Sequence, residues 1–260
     1  MKPINKNRIN ILILEALAIL SMWLVYFIVF KIANNEYLVP SMIDMLREFF
    51  ALFTDGFFYT SLFKTLLNVI ISFVVSFVLA GIICTLAKIY KPFSIFTKPY
   101  LSAIRTIPTM ALLVIILIYT NTFVAPIIVA FLVLFPMIFE QFNRAYEGID
   151  NGLITAMNIF NVSKRDRIFK IYIPMIIPPL ALNLGSNLSF TIKLVISAEV
   201  MAYSFTSIGG LMQGANAMMN IPQLFALTLL SVVLGLIFEF GFSLIFKNFF
   251  KWTKGGIKND

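Results

Sequence analysis

Residues 148–180 read GIDNGLITAMNIFNVSKRDRIFKIYIPMIIPPL. Charge is concentrated in this stretch: Lys164, Arg165, Asp166, Arg167 and Lys170 fall within seven positions, and Pro174, Pro178 and Pro179 come directly after. Upstream of the charges, Leu153, Ala156, Met157 and Phe160 recur at i, i+3, i+4 and i+7, the spacing of one helix face, with Asp150 or Asn151 placed to cap it. The pattern predicts a short helix, a break at Asn161, a second amphipathic turn with Ser163 as N-cap, and a bend at Pro174 where the chain enters an apolar run. Leu153, Met157, Ile159 and Phe160 would be costly in water, so the first of these helices needs a cover of lipid headgroups or a partner protein.

The surroundings are oily. Of 260 residues, 60% are hydrophobic and 12% charged, with a mean hydropathy of +0.94, the composition of a multi-span membrane protein. Since a helix needs about 20 apolar residues to cross a bilayer, six windows qualify: 11–30, 66–87, 101–120, 123–142, 175–201 and 224–246. The fold class expected is an all-α integral membrane domain with about six transmembrane helices and no internal domain boundary. Between the first two windows, PSMIDMLREFFALF (residues 40–53) sets Ile43, Leu46, Phe50 and Phe53 at helical spacing behind a Ser41/Asp44 capping box, which suits an interfacial helix.

Absent residue types exclude chemistry. With no histidine and one cysteine, Cys84, the chain offers no His/Cys metal cluster, no Ser-His or Cys-His nucleophile pair and no intrachain disulfide. Cys84 reads as a small apolar helix residue. The net charge of +8 is topological rather than a nucleic-acid footprint, because Lys and Arg flank the apolar windows instead of forming one patch. Of the 20 basic residues, all but Lys31, Arg47, Lys64 and Lys193 fall on one side if both termini are cytoplasmic, as the positive-inside rule requires. The first window is of span length and lacks a small-x-small cleavage site, so the first helix is expected to be retained.

The stretch at 148–180 resembles the cytoplasmic signature loop of permease subunits of bacterial ABC importers, in which Glu-Ala-Ala is followed by three residues, Gly, nine residues and Ile-x-Leu-Pro. Thr155, Ala156 and Met157 stand at the Glu-Ala-Ala positions, Asn161 at the Gly, and Ile171, Ile173 and Pro174 at the ending. Asn tolerates the left-handed backbone for which Gly is used at a helix end. The likeness extends to SAIRTIPTMALLVIILIY (residues 102–119), to VPSMIDML near Pro40 and to residues 192–230, and is greatest to the nitrate, sulfonate and taurine type. The resemblance implies a coupling helix that docks on a separate ATPase subunit, with Gly152, Leu153, Thr155, Ala156, Met157, Phe160 and Asn161 as coupling positions. It also implies an extracytoplasmic binding protein, a second permease copy, and a location in the inner membrane.

No G-x-x-x-x-G-K-[ST] phosphate loop is present, so the chain is read as non-catalytic and as binding no cofactor directly; ATP and Mg would be used by the partner ATPase. The competing class is an ion-gradient-driven secondary transporter. Its proton relay would have to be built from Glu15, Glu140, Glu199 and Glu239, with no Asp or His in the windows. Arg105 in RTIP fits either a shaping role at the end of the third window or a headgroup anchor, and SIGGLMQGANAMMNIP (residues 207–222) a glycine-broken outer hairpin. At 100° per residue, Asn183, Ser186, Lys193 and Ser197 form one stripe of the fifth window, with Asn187 at its edge. This stripe either packs against other helices or lines a translocation path, where Lys193 from each protomer would suit small anionic solutes.

Overall fold

The computed structural model describes residues 6–33 and 38–249, and every regular element among them is helical. Helix α1 (Lys6–Ala33) covers the first apolar window, and α2 (Met42–Leu52) is the amphipathic helix expected after it. Ser41 caps α2: its Oγ accepts the Asp44 amide at 3.2 Å and donates to the Asp44 carboxylate. The chain continues through α3 (Gly56–Ile89), α4 (Lys91–Thr106), α5 (Thr109–Tyr119), α6 (Val124–Glu147) and α7 (Asn151–Ile159). A single turn, α8 (Lys164–Asp166), and a π-helical segment (Arg167–Tyr172) lead into α9 (Ile173–Leu182), α10 (Leu184–Ala202), α11 (Ile208–Ala217) and α12 (Ile221–Phe249). Of these, α3, α6 and α12 are each long and apolar enough to cross a bilayer, and the bent pairs α4–α5 and α9–α10 raise the number to five.

The packing is that of a protein dissolved in lipid. Along α3 the buried face is small and polar, with Ser61, Thr65, Asn68, Ser72, Ser76, Ala80 and Cys84 recurring every three or four residues, while Ile70, Val74, Val78 and Ile82 point outward. In hydrocarbon, burying leucine gains little, so close backbone approach and hydrogen bonds decide which face turns inward. Ser72 and Ser76 donate within α3 to the Asn68 and Ser72 carbonyls at 2.7 and 2.6 Å and lie 3.3 and 3.4 Å from the α6 carbonyls of Ile127 and Phe131. Between α10 and α12 the same logic uses glycine: a Cβ at Gly185 would lie 2.6 Å from the Glu239 carbonyl oxygen.

The helices depart from the apolar windows where proline and hydroxyl chemistry intervene. The second helix of the windows starts at Gly56 rather than Leu66, its N-terminus capped by Asp55 and its Lys64 drawn to Thr206 Oγ1 at 2.7 Å. The window 101–120 is not one helix. α4 and α5 meet at 97° where Pro108 forces Ile107 into extended backbone (ψ 127°). Arg105 braces the corner, its Nη2 donating to the Pro136 carbonyl at 3.0 Å and to Glu140 at 3.3 Å, as the shaping role expected of it requires. The predicted glycine-broken hairpin is instead α11, capped by Ser207, whose Oγ accepts the Gly210 amide at 2.9 Å.

Candidate coupling site and membrane cavity

α7 is the predicted short helix, and Asn161 ends it in the left-handed conformation (φ 48°). The Asn161 amide reaches the Asn158 carbonyl at 3.2 Å and the Val162 amide reaches Met157 at 3.0 Å, which together form a Schellman ending. Its apolar face does not all point outward. Met157 is 2% exposed and Leu153 and Ile154 pack on the core, whereas Ile159 and Phe160 are 70% and 79% exposed. Gly152, Thr155 and Asn161 are also exposed and Ala156, like Leu153, is half-buried, so of the expected coupling positions only Met157 is closed to a partner, with Leu153 turned toward the core. Thr155 commits its hydroxyl to the Asn151 carbonyl of its own helix at 3.0 Å.

Arg167 ties this helix to the π-helical segment. Its Nε donates to the Val162 carbonyl (2.9 Å), Nη1 to Asn158 Oδ1 (2.8 Å) and Nη2 to the Met157 carbonyl (3.1 Å), which the Val162 N–H already reaches, so the guanidinium reinforces the end of α7. Ser163 caps the next turn as expected, accepting the Asp166 amide at 3.1 Å. The Lys170 ammonium at 2.7 Å, together with the Ser163 hydroxyl, holds the Asp166 carboxyl below its ordinary pKa. The expected bend at Pro174 is absent. Instead the preceding turn widens to π geometry, the Ile173 amide bonding to Ile168, and the half-buried Ile171 and Ile173 continue smoothly through Pro174 into α9. The bend, 58°, comes at Asn183, whose Nδ2 donates to the Pro179 carbonyl at 3.0 Å in place of a backbone bond.

Beyond that bend α10 lines a cavity of about 870 Å³ shared with α5 and α12. Ser186, Lys193 and Ser197 of the predicted stripe border it, joined by Ser189 and by Thr109, Thr228 and Ser231. No carboxylate lines it, and Lys193 makes no ion pair or hydrogen bond among the described residues. Two residues of the stripe lie elsewhere. Asn183 is at the bend, and Asn187 is 4% exposed, locked with Gln141 of α6 by two reciprocal amide bonds of 2.8 Å.

One residue group escaped the sequence patterns. Glu199 is fully buried and accepts from Thr65 Oγ1 (2.8 Å), Asn68 Nδ2 (2.9 Å) and the Gly209 amide (3.3 Å), binding α10 to α3 and to the start of α11. Thr65 Oγ1 in turn accepts the Ile208 amide at 2.9 Å, and Gly209 has no room for a Cβ, which would fall 2.4 Å from Glu199 Cβ. The signals that could have located this hub were the spacing of Thr65 and Asn68 on α3 and the paired Gly209–Gly210, but neither names its partner.

Residues 77–251, more than half of the chain, match the family described as binding-protein-dependent transport system inner membrane component. The chain belongs to that family. Among solved structures, the permease is similar to a chain from the crystal structure of an amino acid ABC transporter with histidines, at 17% identity and a TM-score of 0.62, covering 74% of this chain and 94% of that one. It is also similar to two chains from inward-facing conformations of the MetNI methionine ABC transporter. One aligns at 20% identity and TM-score 0.54 over 73% of this chain and 93% of that one, the other at 21% and 0.53 over 80% and 97%. Curated protein sequences contain no match. The permease is an integral membrane component of an ABC importer with the type I permease fold.

Proposed function

We propose that the permease forms the translocation path of an ATP-driven importer in the cytoplasmic (inner) membrane, passing a small anionic solute delivered by an extracytoplasmic binding protein. Both termini and α7 lie on the cytoplasmic side, where α7 docks on a separate ATPase subunit that binds ATP and Mg. The observation that carries this is the continuity from α7 through the Arg167 clamp, the π-helical turn and the Asn183 bend to the wall of the Lys193 cavity. Movement of α7 by the ATPase is thereby delivered to the helix that borders the path. Such a cycle is a two-state equilibrium biased by ATP at one end and by the loaded binding protein at the other.

The cavity walls Met110, Met201, Val232 and Leu236 are exposed on the surface of a single copy, which supports closure by a second copy about a two-fold axis. The solute class is argued from the lining: one unpaired cation and a set of hydroxyls, with no carboxylate. This agrees with the likeness to the nitrate, sulfonate and taurine type. An ion-gradient mechanism lacks support among the described side chains, because Glu199 is occupied by three donors and Glu140 by Arg105 and Arg144. That leaves Glu239, bonded to Ser186 at 3.3 Å, as a single carboxylate with no second one to relay to; Glu15 lies outside the described side chains.

The test is uptake into proteoliposomes holding the permease with its ATPase. Ala156→Asp should abolish ATP-dependent uptake while leaving insertion intact, because an unpaired carboxylate would face the apolar partner surface at a cost of several kcal/mol. Normal uptake in this variant, or uptake driven by a proton gradient without ATP, defeats the reading. Asn161→Gly should leave uptake within about twofold, since glycine adopts the same left-handed conformation without strain.

A further inference from the structure

A second cavity, about 220 Å³, opens between the end of α3, one face of α4 and the end of α6. Lys88, Lys98 and Arg105 line it together with the hydroxyl side chains Ser94, Thr97 and Ser102. Glu140 also lines it and Glu147 lies beside it, and both carboxylates are already engaged. Glu140 is held by Arg105 (3.3 Å) and Arg144 (3.9 Å), and Glu147 by Lys88 (3.5 Å) and the Asn143 amide (2.9 Å). Arg105 uses only Nη2 in its described bonds, so Nη1 and Nε remain available, and Lys98 has no ion pair or hydrogen bond among the described residues. The cavity therefore keeps cationic donors in excess of carboxylates.

Its place in the fold selects the ligand. α4 crosses α5 at 97° and so lies across the bundle rather than along it, at the end of the molecule where Lys88 meets Glu147 and where α6 leads into α7. One side of α4 packs inward through Phe93 and Leu101, while Ile95, Phe96 and Tyr100 are exposed beside the cations, the last two rings 5.0 Å apart. Aromatic rings next to lysines are the side chains that settle at the boundary of headgroups and acyl chains.

We infer that the α3/α4/α6 cavity binds the phosphate of an anionic phospholipid from the leaflet on the α7 side. Lys88, Lys98 and Arg105 take the phosphate, the hydroxyls of Ser94 and Ser102 add donors, and Phe96 and Tyr100 lie along the start of the acyl chains. Basic pockets between helices on that side of a membrane are suited to such headgroups. A bound lipid would tie α4 to α6 directly below the Pro108 corner, which places a lipid requirement next to the coupling end of the permease.

The experiment compares full-length permease in nanodiscs of phosphatidylcholine alone and with added phosphatidylglycerol, reading retained lipid by native mass spectrometry and competition by soluble phosphates. Lys98→Gln and Lys88→Gln should each weaken phosphatidylglycerol retention roughly fivefold. Lys91→Gln, on the same helix but outside the cavity, should not change it. Equal retention in wild type and Lys98→Gln overturns the site, and equal loss in Lys91→Gln shows diffuse surface charge instead. Displacement by millimolar inorganic phosphate or glycerol phosphate assigns the cavity to a soluble anion and overturns the lipid assignment. Loss of ATPase association by Lys98→Gln in phosphatidylcholine alone would make this face part of the partner interface, which also overturns it.

Discussion

Two charged residues of α10, six positions apart, are treated in opposite ways. Glu199 is enclosed and saturated, taking one donor from each of two α3 side chains and one from the α11 backbone. Lys193 faces the 870 Å³ cavity and has no partner among the described residues. A buried charge with all its donors in place fixes helices relative to one another, and removing it leaves those donors stranded. A charge left open in a cavity of apolar walls and hydroxyls stabilises little in the fold and is free to meet a solute. The C-terminal end of α10 is therefore an anchor and the middle a contact surface.

The largest effect expected from this contrast is at the anchor. Glu199→Ala should destabilise the permease by roughly 3–5 kcal/mol, seen as a lowered thermal midpoint in detergent and release of α11 in hydrogen exchange. Little change would mean the three donors find water, and the contrast would fail. Arg167 is a second charge held in place by several bonds, but it sits at the end of α7. Arg167→Met should leave the membrane helices folded while lowering the ATP-driven uptake rate by about tenfold or more, with ATP hydrolysis no longer tracking solute, because three bonds to the end of α7 are lost together. Arg167→Lys, with one compact head in place of a fork, should recover only part.

Lys193 provides the smallest effect on stability and the sharpest on specificity. Lys193→Gln should keep the stability within about 0.5 kcal/mol of wild type, read from the thermal midpoint. It should lower the uptake rate of an anionic solute without altering that solute's affinity for the binding protein, and Lys193→Arg should stay partly active. Unaltered uptake in Lys193→Gln would return the residue to a packing role and remove the functional half of the comparison.

The same contrast marks where sequence patterns succeed. The membrane class, the amphipathic α2 with its Ser41 cap, the short α7, its left-handed stop at Asn161 and the Ser163 cap are all consequences of residues within a few positions of one another. Local spacing carries that information directly. Helix α7 also shows the limit: periodicity grouped Leu153, Met157 and Phe160 on one face, yet packing turns Met157 inward and leaves Phe160 out, because the rest of the bundle covers only part of that face.

Composition and local spacing were enough to set the solvent, the approximate windows, the signature spacing and the lone position of Lys193 among apolar residues. Long-range packing was needed to place the bends at Pro108 and Asn183 but not at Pro174, since a π turn accepts the missing amide there and an asparagine side chain replaces a lost bond at Asn183. Packing also paired Asn187 with Gln141 and brought Glu199 to Thr65 and Asn68, more than 130 positions away. A hydrogen-bonding group announces its need for a partner in the sequence, but which partner answers it depends on which helices the lipid forces together.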